Sequence, residues 1–176
     1  DAGQQIQVVT AKELYRKLPR TLPESLDQLP SILVQKTASG HGSPYIRGFT
    51  GNRTLAIIDG IRYNNATYRD GPNEYFSHID SFTVDQIEVL YGPTSALYGS
   101  EGIGGTINVQ TRAAAYRDRQ PKRFSSAEQV VRVSSGDDST VSRTAFEIGE
   151  GQRWGLDSGS LLKSSEMFVP LIWESF

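Results

Sequence analysis

The 176-residue chain has no cysteine, one methionine and two histidines. Without cysteine there is no disulfide framework, no thiolate metal site and no thiol nucleophile. His41 and His78 alone cannot build a histidine-rich metal centre, and neither a metal nor a cofactor is expected. Long apolar runs are missing too. The longest span residues 55–58 and 168–173, the second broken by Pro170, whereas a membrane helix needs about 20 apolar residues. Nor is there an excess of charge of either sign. Eighteen Lys and Arg against 20 Asp and Glu leave a formal charge of −2, so nucleic acid, which selects a basic face, is not an expected partner. The first five residues show no basic stretch leading into an apolar one, so a signal peptide is absent or already removed.

The usual catalytic signatures are absent as well. No G-x-x-x-x-G-K-[ST], H-E-x-x-H or G-x-S-x-G occurs. Gly99, Gly102, Gly104 and Gly105 run as G-x-x-G-x-G-G and open a strand, whereas a dinucleotide fingerprint opens a helix. His41 lies two residues before Ser43, the raw material of a base and a nucleophile, but no orienting motif accompanies them and an exposed loop is the expectation. His78 is expected to be a partly buried packing residue. An enzyme is therefore not expected.

What the chain does have is glycine, 17 of 176 residues, more than average usage of about 7% and placed at turns. Residues 6–9 read as a strand. Thr10 and Glu13 form a capping box for a short helix ended by Pro19. Thr21 and Pro23 start a second helical piece with Leu22, Leu26 and Leu29 on one face. Residues 31–36 and 45–49 read as strands, with 37–44 as a loop. Asp59-Gly60 between two apolar stretches is a hairpin signal. Residues 64–74 form a polar loop, 84–91 alternate as a strand, Gly92-Pro93 breaks it, 95–98 suit one helical turn, and 102–111 return as a strand. Beyond Thr111 the composition turns basic and alanine-rich. Residues 129–133 and 141–148 then read as two strands.

Three tracts carry a resemblance: Tyr45-Ile46-Arg47-Gly48, then Ile57-Ile58-Asp59-Gly60-Ile61, then residues 87–100 (Ile87-Glu88-Val89-Leu90-Tyr91-Gly92-Pro93-Thr94-Ser95-Ala96-Leu97-Tyr98-Gly99-Ser100), continuing into Gly104-Gly105-Thr106-Ile107-Asn108-Val109. Together they resemble the plug domain of TonB-dependent outer-membrane receptors, over about residues 6–112. The family often carries arginine where Gln86 and Tyr91 stand here. Residues 7–11 resemble a TonB box superficially, but Thr10 caps a helix, so the first plug strand is the better reading and the box is expected upstream.

The resemblance implies an α+β fold: a small mixed β-sheet plug with short helices over residues 1–112, followed by a fragment of an antiparallel β-barrel too short to close. Residues 113–128 are read as a basic linker and 129–148 as a candidate first barrel hairpin. Residues 149–176 are read as a truncated or aberrant tail, poorly ordered. The 64 residues after Arg112, at about 9–11 per membrane strand, fall short of the roughly eight strands of the smallest barrels. A truncated, frame-shifted or fragmentary gene product is the leading expectation.

The resemblance further implies a gating and ligand-sensing domain in the outer membrane of a Gram-negative cell, inside the barrel lumen with its N-terminus facing the periplasm, or periplasmic if the chain exists alone. Its expected partners are TonB, the receptor's own barrel, and a small-molecule or metal-chelate nutrient such as a ferric siderophore, cobalamin, haem or a glycan. The alternative is a free-standing soluble ligand-binding or adaptor module with a plug-like fold. The expected ligand-binding loop comprises Arg62, Tyr63, Asn64, Asn65, Tyr68 and Arg69, whose aromatics, amides and cations suit an anionic or chelate ligand; His41 and Asn52 are secondary. Arg47 and Glu88 are the expected plug–barrel contacts. Gly48, Asp59, Gly60, Gly92, Pro93, Ser95, Tyr98, Gly99, Gly104, Gly105 and Asn108 are expected to shape the backbone, with Tyr98 packed and its hydroxyl on a partner.

Overall fold

A computed structural model describes residues 5–38, 40–64, 75–99, 101–112, 123–136, 138–150 and 154–165. The chain divides into two units, residues 1–115 and 116–176.

In the first unit, strand β1 (Ile6–Thr10) runs directly into helix α1 (Ala11–Lys17). The join is the expected capping box: the Glu13 carboxylate turns back to accept the Thr10 N–H at 2.9 Å, satisfying a donor that the first helical turn leaves free. This bond holds the Glu13 carboxyl below its ordinary acidity range. Leu14 is the buried residue of the helix. The second helical piece is a 3₁₀ turn, Leu22–Leu26, with Pro23 tolerated at its start. Leu22 and Leu26 are buried and Leu29 packs against the same core.

Strands β2 (Ile32–Ala38) and β3 (His41–Ile46) pair antiparallel. The small, polar stretch 37–44, expected as a loop, is thus mostly strand. Its small residues are explained by crowding: a Cβ on Gly42 would lie 3.2 Å from both Pro23 Cβ and Val34 Cγ1. Then follow β4 (Thr54–Ile58), β5 (Ile61–Arg62), β6 (Val84–Tyr91), helical turn α2 (Ser95–Tyr98) and β7 (Gly105–Thr111).

The main sheet has the order β1-β6-β7-β4-β5. β4 and β7 are parallel; the other neighbours are antiparallel. One sheet face carries Val9, Ala56, Ile87, Val89, Ile107 and Val109 into a core closed by Leu14, Leu22, Leu26, Ile46 and Phe76. Simple alternation along β6 sets Val84 on the opposite face from Ile87. A register shift between Val84 and Gln86 puts Val84 into the same core, as an extra residue in one strand does.

In the second unit β8 (Phe124–Ser134), β9 (Ser139–Glu150) and β10 (Trp154–Ser165) form an antiparallel sheet of order β10-β9-β8. Two boundaries are corrected. The stretch read as linker to residue 128 becomes strand at Phe124, with Ser125 opposite Ile148 and Ala127 opposite Phe146. The tail read as poorly ordered contains β10, paired with β9 from Trp154 to Ser165. The α+β class with a non-closing further sheet is as expected.

Candidate functional site

The expected ligand segment begins at the end of β5. Asp59 and Gly60 take positive φ values of 49° and 81°, the backbone that a two-residue hairpin turn requires. The Asp59 carboxylate also accepts the Thr111 N–H at 2.8 Å and its hydroxyl at 2.7 Å, fixing the turn to the end of β7. The hairpin then delivers three of the six candidates, and all three are engaged within the domain. Arg62 donates from Nη2 to the Tyr98 carbonyl at 2.8 Å, and its Nη1 lies 3.7 Å from the Glu101 carboxylate. Tyr63 donates its hydroxyl to the Tyr75 carbonyl at 3.3 Å, with its ring tilted against Phe76; burial raises its pKa above the ordinary phenol value. Asn64 is buried and pairs with β4, Oδ1 accepting the Ala56 N–H at 2.8 Å and Nδ2 donating to the Thr54 carbonyl at 3.0 Å. These side chains anchor the segment. Asn65, Tyr68 and Arg69 lie outside the described residues.

Of the secondary candidates, His41 is exposed at the start of β3 and Asn52 sits in the 3₁₀ turn Gly51–Arg53. Ser43, the other half of the nucleophile pair, is buried with Oγ 3.1 Å from Thr50 Oγ1. His78, expected to be partly buried, is exposed; its neighbours Phe76 and Ser77 point inward, and Ser77 Oγ accepts the Gly42 N–H at 2.9 Å.

The segment between β6 and β7 folds over the outer sheet face. Thr94 N–H donates to the Gly102 carbonyl at 2.7 Å, and Thr94 Oγ1 meets Thr106 Oγ1 at 2.6 Å. Glycine is needed where this segment returns: a Cβ on Gly104 would collide with Phe49, and one on Gly105 with the Leu90 carbonyl oxygen. The expected packing of Tyr98 is corrected. Its ring is exposed and lines an open groove of about 480 Å³ with Asp59, Gly60, Asn108 and Gln110. Glu88 lies beside it on β6, accepting from Gln86 at 3.1 Å and from Asn108 at 3.0 Å.

Arg47 projects from a tight turn in which it and Gly48 have φ of 51° and 85°. It is exposed, with its guanidinium carbon 5.5 Å from the centroid of the Tyr91 ring, a cation–π contact. Burial raises the Tyr91 pKa, and Arg47 opposes the shift. Tyr91 is the site residue that the sequence singled out only as a departure from pattern. Its place on the apolar face of β6 was the available signal.

The second unit has two unlike faces. Directly paired residues point to the same side of an antiparallel sheet. The register therefore puts Val131, Val133, Phe146, Ile148, Trp154, Leu156 and Leu162 on one side, each 43–76% exposed. Among the described residues, the charge on that side lies at the strand end, where Glu150 meets Arg123 at 3.9 Å. Glu128, Arg132, Arg143, Glu147, Asp157 and Lys163 share the other side.

The family model TonB-dependent Receptor Plug Domain matches residues 1–106. The chain belongs to the TonB-dependent receptor plug family. It is 34% identical over 133 residues to the vitamin B12 transporter BtuB of Vibrio vulnificus (strain CMCP6), covering 74% of this chain and 20% of that protein. It is also 34% identical over 117 residues to an iron-regulated outer membrane virulence protein of Vibrio cholerae serotype O1 (strain ATCC 39315 / El Tor Inaba N16961), covering 64% of this chain and 18% of that protein. The crystal structure of the siderophore receptor PiuA from Acinetobacter baumannii shares the fold, with a TM-score of 0.66 at 23% identity over 93% of this chain and 21% of that one. That share of the plug chain takes in strands of the second unit. The plug chain spans about a fifth of the length of these relatives.

Proposed function

We propose that the chain is the gating and ligand-sensing plug, with strands of the barrel wall, of an outer-membrane receptor that takes up a scarce nutrient of the siderophore, cobalamin, haem or glycan kind. The observation that carries this reading is the second unit. A barrel wall needs strands of about 9–11 residues, an apolar lipid-facing side and a polar lumen-facing side. β8, β9 and β10 have 11, 12 and 12 residues, and their register separates a large-apolar face from a charged one. A chain that joins such strands to a plug-family domain fits a plug seated in the lumen of its own barrel, its N-terminal side reaching TonB. No step of this function needs covalent chemistry. Arg47, exposed on its turn, is the cation offered to barrel carboxylates. Glu88 has two amide donors inside the plug and is the weaker contact.

The test is a pair of charge insertions in the membrane-inserted receptor carrying this sequence. Phe146→Arg puts a cation on the apolar face and is expected to cost about 2–4 kcal/mol of folded, membrane-inserted stability, read as the fraction of folded receptor in the outer membrane. Ser126→Arg puts the same charge on the other face, beside Glu147, whose carboxylate accepts from Ser126 at 3.1 Å, and is expected to be tolerated. Equal tolerance of both would remove the lipid-facing assignment.

A further inference from the structure

Tyr91 ends β6 at a point where three remote segments meet. Its N–H donates to the Gln5 carbonyl at 3.0 Å. Its hydroxyl lies 2.8 Å from the Pro30 carbonyl oxygen and 3.0 Å from the side-chain amide of Gln7. A phenol has one proton to give. Donating it to Pro30 leaves an oxygen lone pair for Gln7, which meets it with N–H once the amide is turned over. On the outward side, the ring carries the Arg47 guanidinium. Arg47 is also held by its own N–H, which donates to the Ser31 carbonyl at 2.9 Å, one residue beyond the Pro30 carbonyl that Tyr91 grips. Gly92 lies beside it at a φ of 93°, its Cα hydrogen facing Arg47, and a Cβ there would stand in ordinary contact 3.6 Å from Nη1. Among the described residues β1 is an edge strand, hydrogen-bonded in the sheet to β6 alone.

Both contacts that hold Arg47 thus lead back to Tyr91, and Tyr91 is bonded to the edge strand through its backbone and its side chain. We propose that Tyr91 is a positioning residue that couples attachment of β1 to the placement of Arg47. With β1 seated, the Gln5 carbonyl holds the Tyr91 backbone and Gln7 holds its phenol, and the fixed ring presents the guanidinium outward in one orientation. With β1 drawn off β6, the phenol keeps only Pro30, the ring is free to turn, and Arg47 loses the surface it rests on. The two-state element is the edge strand, on or off. Both ends of the coupling lie within residues 5–92, so the inference goes beyond the receptor reading and does not depend on transport.

The experiment is amide hydrogen exchange on the 176-residue chain, without barrel or ligand. Gln7→Ala removes the strand-side partner of the phenol. Tyr91→Phe removes the hydroxyl and keeps the ring. Tyr91→Phe is expected to speed exchange of the β1–β6 ladder and of the Arg47 N–H by about fivefold, the scale of one net hydrogen bond, leaving β4 and β7 amides unchanged. Gln7→Ala is expected to speed the Arg47 N–H to a similar extent in the wild-type background and to add nothing in Tyr91→Phe, since the path is already cut. Acceleration of every sheet amide by one common factor would mean that Tyr91 is only a stability residue, and would overturn the proposal. So would additive effects of the two substitutions, or an Arg47 N–H unmoved by Gln7→Ala. Tyr91→Leu removes the ring as well and is expected to abolish the ring-current shift of the Arg47 side-chain resonances, which Tyr91→Phe retains.

Discussion

Replacing Asn64 by alanine tests whether the segment after β5 is anchored from inside or offered to a ligand. Asn64 is 7% exposed. Its amide continues the β5 edge where the strand itself has stopped, taking the Ala56 N–H at 2.8 Å and giving to the Thr54 carbonyl at 3.0 Å. Alanine would leave both of these β4 groups without that partner in a region where Ala56 is 1% and Thr54 5% exposed. A buried polar group left unsatisfied costs about 1–3 kcal/mol. The two together should cost about 2–5 kcal/mol, a large share of the roughly 5–15 kcal/mol typical of a domain. Asn64→Asp sharpens the test. The aspartate still accepts from Ala56, but it turns an ionised oxygen toward the Thr54 carbonyl, a buried charge without a donor. Protonation supplies the missing donor, so the carboxyl pKa should be raised in the folded state. The variant should then be weakest at neutral pH and recover as the pH falls. Both tryptophans, Trp154 and Trp173, follow residue 115, so fluorescence does not report on this sheet. Native-state amide exchange of β4 does. A loss below about 0.5 kcal/mol in Asn64→Ala, the range of a neutral surface change, would refute the anchoring argument and return Asn64 to the ligand face.

Gly105→Ala should cost about 2–3 kcal/mol by overpacking, because its Cβ meets a backbone oxygen, that of Leu90, at a φ of 157°; Gly136→Ala, with nothing within 4 Å, should stay within about 0.5 kcal/mol, and thermal unfolding compares the two. Glu13, whose folded pKa is lowered mainly by the Thr10 N–H, contributes stability that is present above its unfolded pKa and lost as pH falls through the folded one. The Thr10 amide resonance should therefore titrate below the ordinary glutamate range, and Glu13→Gln should abolish that titration.

Local chemistry was legible in the sequence wherever a residue acts on its own neighbours. Thr10 with Glu13, Asp59 with Gly60, and Pro23 at the start of its 3₁₀ turn each carry their reason within four residues. Where a distant segment decides, the sequence was silent. Gly42 and Ser43 look like loop residues, yet they form a strand because Pro23 packs against a position that admits no side chain. Gly159 likewise sits inside β10 where a Cβ would come within 3.2 Å of Arg143 Nη2. Arg62 and Asn64 show a different limit. A polar, amide-rich stretch looks the same whether its groups face solvent or bond backnone groups of the same domain, and only the fold shows that Arg62 reaches Tyr98 and Asn64 reaches β4.

The second unit carries the argument furthest. Among the described residues β8 and β10 are the outer strands of their sheet, long and free of proline, and one face of that sheet exposes seven large apolar side chains. A soluble domain avoids both features, because an open edge recruits further strands and an exposed apolar face recruits other surfaces. A free-standing soluble module would need a separate remedy for each. Closure of a barrel in a bilayer resolves them together: neighbouring strands pair the edges, lipid covers the apolar face, and the charges of Glu128, Arg132, Arg143, Glu147, Asp157 and Lys163 turn toward a polar lumen. A single environment that satisfies every surface of the sheet is a stronger warrant for the receptor reading than either face alone.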